Sequence, residues 1–241
     1  ARVANTDGTI ASQVSVNKEA GFSMVTYTGT GADGTVGHGL GKVPAVVIIK
    51  NRDRNVEWIV KHQKLSSGKI LYLNLNSGED AATGSNNGII GDLNNASTFS
   101  LTRTNNSGNY NNNNVSGEKY VAFCYAEIPG YSKFGSFQGN GNANGPFVFT
   151  GFRPAMIFYK RIDGSDNWGI HDNKRDVDNP IQRFLYPDDT YAEWTGGTND
   201  HVDFLSNGFK IRNTGSMFNH NNHTIVYWAF AETPQTSPNG G

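Results

Sequence analysis

The segment FLYPDDTYAEWTGGTNDHVD, residues 184–203, gathers Tyr186, Tyr191, Glu193 and Trp194 in an otherwise polar stretch. An aromatic face flanked by hydrogen-bonding groups suits a sugar ring, which stacks its apolar side and offers hydroxyls at its rim. The competing role for Trp194 is an aromatic plug over a sheet edge. A second polar feature is the tract NNSGNYNNNNVSG, residues 105–117, whose counterpart NTGSMFNHNNH covers 213–223. Asn111, Asn113 and Asn221 in these tracts bring donors and acceptors without charge, which also suits hydroxyl recognition. Asparagine equally serves a plain surface loop, because it accepts left-handed backbone and satisfies its own turns.

Catalytic chemistry finds little support. The chain has no phosphate-cradling G-x-x-x-x-G-K-[ST], no G-x-S-x-G elbow, no H-E-x-x-H and no paired-cysteine zinc site. Glycosidase carboxylates carry no short signature, so Glu57, Asp172, Asp176 and Glu193 are the acids from which an acid and base pair would come; they read as solvated turn charges. His220 and His223 sit three positions apart in a turn rather than on a helix that would aim both at one metal. The acidic segment 172–180 lacks the spacing and glycine of an EF-hand loop, and Lys174 and Arg175 interrupt it. No enzyme, cofactor or metal site is expected.

These residues must be held by strands. With 29 Gly, 14 Phe, 10 Tyr and only 17 % charged residues, the 241-residue chain favours short strands and turns. A net charge of -1 with scattered Lys and Arg argues against nucleic acid and anionic membrane. No run approaches the roughly 20 apolar residues of a spanning helix, and the opening ARVANTDGTIASQ lacks the apolar core of a signal peptide. A soluble chain is expected, and the single Cys124 leaves stability to packing.

An internal repeat organises the rest. Pro44, Lys50 and Trp58 lie 110 positions before Pro154, Lys160 and Trp168, and Phe99 and Leu101 stand in the same relation to Phe209 and Ile211. At the ends YVAFCYAEIP matches IVYWAFAETP at a spacing of 105, so the first copy carries five extra residues, inside the asparagine tract. The expected fold is all-β: two tandem homologous antiparallel β-sandwich domains, jelly-roll or lectin-like, over 20–129 and 130–235. Residues 1–19 and 236–241 are expected to flank them. Pro44 and Pro154 mark strand starts, where no ladder donor is lost. KNRDRNVEW and KRIDGSDNW read as hairpin turns, each followed by a framework tryptophan.

The strings GFSMVTYTGTGADGTVGHGLGKVPAVVIIKNRD, GPFVFTGFRPAMIFYKR and IVYWAFAETP resemble a domain recurring in tail-fibre and other virion structural proteins of tailed bacteriophages, common among marine and cyanobacterial phages. The resemblance covers about residues 20–235 and implies a place on the virion, without catalytic residues to carry over. It gives the expectation of a non-enzymatic tail fibre or appendage whose loops recognise a host-surface glycan or receptor and which assembles with other virion proteins. By analogy with phage fibres, the assembly expected is a homo-oligomer, a symmetric trimer. Two other readings stand beside it: a structural spacer or decoration protein without a ligand, and a glycan depolymerase.

Overall fold

The protein is described from a computed structural model covering residues 2–81, 88–103, 113–195, 197 and 201–234. It is all-β, built from antiparallel sheets. The one helix among the described residues is the four-residue α1, Ser216–Asn219, where a turn was expected. The chain divides into two compact units, one of Ala1–Asn74 with Glu79–Glu127, the other of Leu75–Gly78 with Ile128–Gly241.

The first unit contains β1 (Val3–Asn5), β2 (Ser12–Asn17), β3 (Phe22–Thr28), β4 (Gly34–Gly37), β5 (Val46–Asn51), β6 (Ile59–His62), β7 (Lys69–Tyr72), β8 (Asp80–Ala81), β9 (Gly88–Ile90), β10 (Thr98–Arg103) and β11 (Lys119–Tyr125). Its large sheet runs β1-β2-β3-β11-β5-β6-β7-β8 and its small sheet β4-β10-β9. In β11 the pleat sends Tyr120, Ala122 and Cys124 into the core while Val121, Phe123 and Tyr125 are only half-buried. The core joins both sheets, setting Val25, Ile49, Ile59 and Tyr120 of the large one with Val36, Ile90, Phe99 and Leu101 of the small one.

The second unit contains β12 (Ser132–Gln138), β13 (Phe147–Phe149), β14 (Pro154–Arg161), β15 (Gly169–Asp172), β16 (Phe184–Leu185), β17 (Val202–Leu205), β18 (Gly208–Ile211) and β19 (Thr224–Ala231). Its sheets run β12-β19-β14-β15-β16 and β13-β18-β17. Aromatic side chains fill the space between them, with Tyr159 stacked on Phe218 at 4.0 Å and Phe209 edge-on to Tyr227 at 5.2 Å. Both predicted hairpins form, Ile49 facing Ile59 and Tyr159 facing Gly169. Trp168 is buried, whereas Trp58 is only half-buried.

The asparagine tracts carry a framework residue that composition concealed. Asn114 is buried; its Oδ1 accepts from Thr30 N (2.8 Å) and its Nδ2 donates to Ala32 O (2.5 Å). Asn219 repeats this with Asn140 N (2.9 Å) and Asn142 O (2.8 Å), and adds Asn213 O (2.6 Å). Asp53 and Asp163 likewise each accept from the first amide of the last strand, Lys119 N at 2.7 Å and Thr224 N at 2.8 Å. Gly117, at φ 81, bonds Gly29 O; Asn222, at φ 62, bonds Gly139 O. Left-handed backbone explains why glycine and asparagine occupy that place.

Two features depart from the sequence expectation. Residues 3–17 are not a flank: they form β1 and β2, extending the large sheet beyond β3. The constant 110-residue register also slips at the small sheets, where Val36 faces Phe99 but Val148, 112 positions on, faces Phe209. Glycine-rich connections tolerate such a shift because few side chains anchor them.

Candidate functional site

The second unit contains a cleft of about 370 Å³ walled by Tyr186, Tyr191 and Trp194 on one side and by Asp166, Asn167 and Ser216 among its polar lining. Three connections build it. The β14–β15 turn supplies Asp166 and Asn167, the residues after β16 supply the aromatics, and the start of α1 supplies Ser216. Asn76, from the short Leu75–Gly78 segment grouped with this unit, also lines it.

The aromatic wall is fastened to the core from behind. Trp194 N donates to Phe184 O at 3.0 Å, bridging the extended chain back onto β16. Phe184 is buried, and its ring lies 4.8 Å from Tyr186 and 6.2 Å from Trp194. Tyr191 in turn meets Tyr186 edge-on at 5.6 Å. Tyr191 at 65 % and Trp194 at 41 % exposure present aromatic surface to solvent while Trp194 also leans on the edge strand β16.

The polar side is held by a charge network. Asp166 accepts from Arg161 Nη1 at 2.6 Å and reaches Ser216 Oγ at 3.5 Å. Asn167 Nδ2 donates to Asp189 at 3.2 Å, and Asp188 accepts from Trp168 N at 3.0 Å. Burial raises the Asp188 carboxyl above its ordinary range. Lys160, fully buried, donates to Arg161 O at 2.6 Å; burial lowers its ammonium to about 8, with Asp166 and Asp188 opposing that shift.

Of the residues singled out from sequence, Tyr191 and Trp194 meet in the cleft, and Glu193 does not. Glu193 pairs with Arg175 and lies 4.0 Å from Arg183, and these two guanidinium groups hold its carboxylate outside the cleft lining. Asn113 is not displayed for a ligand: it is buried, its side-chain Nδ2 donates to Ile89 O at 3.0 Å and its backbone carbonyl accepts from Tyr27 Oη at 2.6 Å. Asn221 is exposed in the connection before β19, and Asn111 lies outside the described residues. Asp172 and Asp176 bind arginines, at 2.9 Å to Arg175 and 3.5 Å to Arg183, and cap local backbone amides. His223 engages Asp163 at 2.6 Å, with the His220 ring 4.2 Å away. Among the described residues no group of three or more His, Cys, Asp or Glu is placed to hold a metal.

Asp166, Asn167, Ser216 and Asn76 escaped the sequence reading. The polar hairpin tip DGSDN was a signal for the first two, but nothing local ties residue 166 to residue 194.

The architecture defines an all-β protein with a solvent-open aromatic and amide cleft. The chain belongs to the family described as Domain of unknown function (DUF7483), which matches it over residues 1–234. No curated protein and no solved structure matches the chain.

Proposed function

We propose that the chain is a non-enzymatic virion structural protein, a tail fibre or appendage of two duplicated β-sandwich domains, whose second domain binds a host-surface glycan in the Trp194 cleft. The virion assignment rests on the sequence resemblance, and the shared hydrogen bonds of Asn114 and Asn219 support the duplication. The observation that carries the glycan reading is the exposed Tyr191 and Trp194 surface facing Asp166, Asn167 and Ser216. The rings stack on the C–H face of a sugar; the carboxylate and amide take its hydroxyls. A single shallow cleft binds weakly, and several copies on one particle convert this into avidity.

The test is an array of bacterial surface polysaccharides probed with multivalently displayed protein. Trp194→Ala and Tyr191→Ala should each lower binding at least tenfold with an unchanged thermal transition, while Glu193→Gln should leave binding intact. Absence of binding in multivalent form would instead favour a structural spacer. Release of reducing sugar would favour a depolymerase.

A further inference from the structure

The two units treat one strand edge differently. In the first, β4 is the outer strand of the small sheet, and its outward-facing backbone is taken up by the chain's own residues 9–12. Ile10 N donates to Thr35 O (2.9 Å), Thr35 N donates to Thr9 Oγ1 (2.9 Å), and Ser12 Oγ donates to Gly37 O (3.1 Å). Ile10 also packs into the core. The corresponding strand of the second unit is β13, with Val148 in the place of Val36. No strand among the described residues pairs with its outer edge.

The outward positions of β13 follow from its ladder. Thr150 N donates to Asn207 O and Ile211 N donates to Pro146 O, so pairing alternates and Val148 shares the bonded position with Phe209. Phe147 and Phe149 therefore direct their N–H and C=O away from β18, as Thr35 and Gly37 do in β4. Their side chains are 45 % and 63 % exposed, while Val148 is buried. No charge lies on the strand, and the cross-strand Lys210 turns its ammonium onto Gly145 O at 2.8 Å. An apolar, uncharged edge with open backbone groups is a template for another strand.

We propose that this edge is an interface with a second copy of the chain, β13 pairing antiparallel with its counterpart across a two-fold axis centred on Val148. The sequence is self-complementary for this register. Each Phe147 would face Phe149 of the second copy in a hydrogen-bonded pair, giving two aromatic cross-strand contacts, and both Val148 side chains would stay in their own cores. A three-residue strand makes a small interface, so the dimer should be weak, with a dissociation constant of about 10–100 µM.

Sedimentation of the full chain across that concentration range tests it. Expected are a monomer–dimer equilibrium and concentration-dependent hydrogen-exchange protection at the amides of Phe147 and Phe149. Phe147→Lys and Phe149→Lys should each weaken association at least tenfold with unchanged thermal transitions, since both side chains are solvent-exposed. Phe149→Pro removes an outward donor without breaking the bonds to β18 and should do the same; if it perturbs folding, the lysine variants carry the test. A monomer at every concentration, a trimer, or a dimer indifferent to these substitutions would overturn the proposal. Dimerisation is read without any glycan, so its outcome is independent of the Trp194 cleft.

Discussion

Strands β3-β11-β5-β6-β7 of the first unit and β12-β19-β14-β15-β16 of the second run in the same order, yet matching positions carry different burdens. Lys50 of β5 is half-buried and bonds Arg54 O at 3.2 Å and Val56 O at 2.7 Å, whereas Lys160 of β14 is fully buried with one carbonyl. Lys61 of β6 is buried against Asp92 at 2.7 Å, while at the matching place in β15 His171 stacks between Tyr159 and Phe184. At this one position the first unit sets an ammonium against a carboxylate and the second sets an imidazole among aromatic rings. The lesson is that a backbone framework fixes where a side chain points, and neighbouring side chains decide what it costs.

Removing the shared asparagine tests the framework most severely. Asn219→Ala leaves Asn140 N and the carbonyls of Asn142 and Asn213 without their partner, at a cost of about 3 kcal/mol. Asn114→Ala should lose a similar amount in urea unfolding. A large inequality between the two would break the equivalence of the tracts.

Lys160→Met comes next. An amine held at about 8 when folded and 10.5 when unfolded carries fewer protons in the folded state between those values. Stability should therefore rise from pH 8 to 10.5, by about 2–3 kcal/mol, and the full cost of the buried charge is present below pH 8. Lys160→Met should remove that rise in stability-versus-pH profiles, and Lys50→Met should largely keep it.

Asp92→Asn acts on the first unit alone. Hydrogen bonds from Lys61 and Ser67 lower the carboxyl to about 2. Its stabilisation is present above the unfolded value of 3.8 and is lost as pH falls through 2. With the side chain 45 % exposed, solvent screening reduces this to about 1 kcal/mol, readable as a loss of acid sensitivity in the variant. The smallest effect is the turn swap. Gly117→Asn should cost about 0.5 kcal/mol and Asn222→Gly should gain a few tenths, because both residues hold left-handed backbone; calorimetry of the two variants checks the pair.

Much of this was legible in local pattern. The prolines near the starts of β5 and β14 and both hairpins follow from backbone chemistry acting within a few residues. Half of the candidate site was legible too, since Tyr191 and Trp194 announce themselves as large aromatics in polar surroundings. Glu193, their neighbour, was misread because its partners Arg175 and Arg183 are distant in sequence.

By itself, then, the sequence determined the all-β character, the strand starts and the aromatic content of the cleft, since each depends on short-range sterics and burial period. Only the tertiary structure decided that residues 3–17 join the sheet, that Asn113 and Asn114 turn inward, and that Asp166 and Ser216 face Trp194. The first rests on strand pairs 5 to 15 positions apart, and the others on hydrogen bonds between residues 24 to 86 positions apart, whose energies exist only once the chain has brought the partners together.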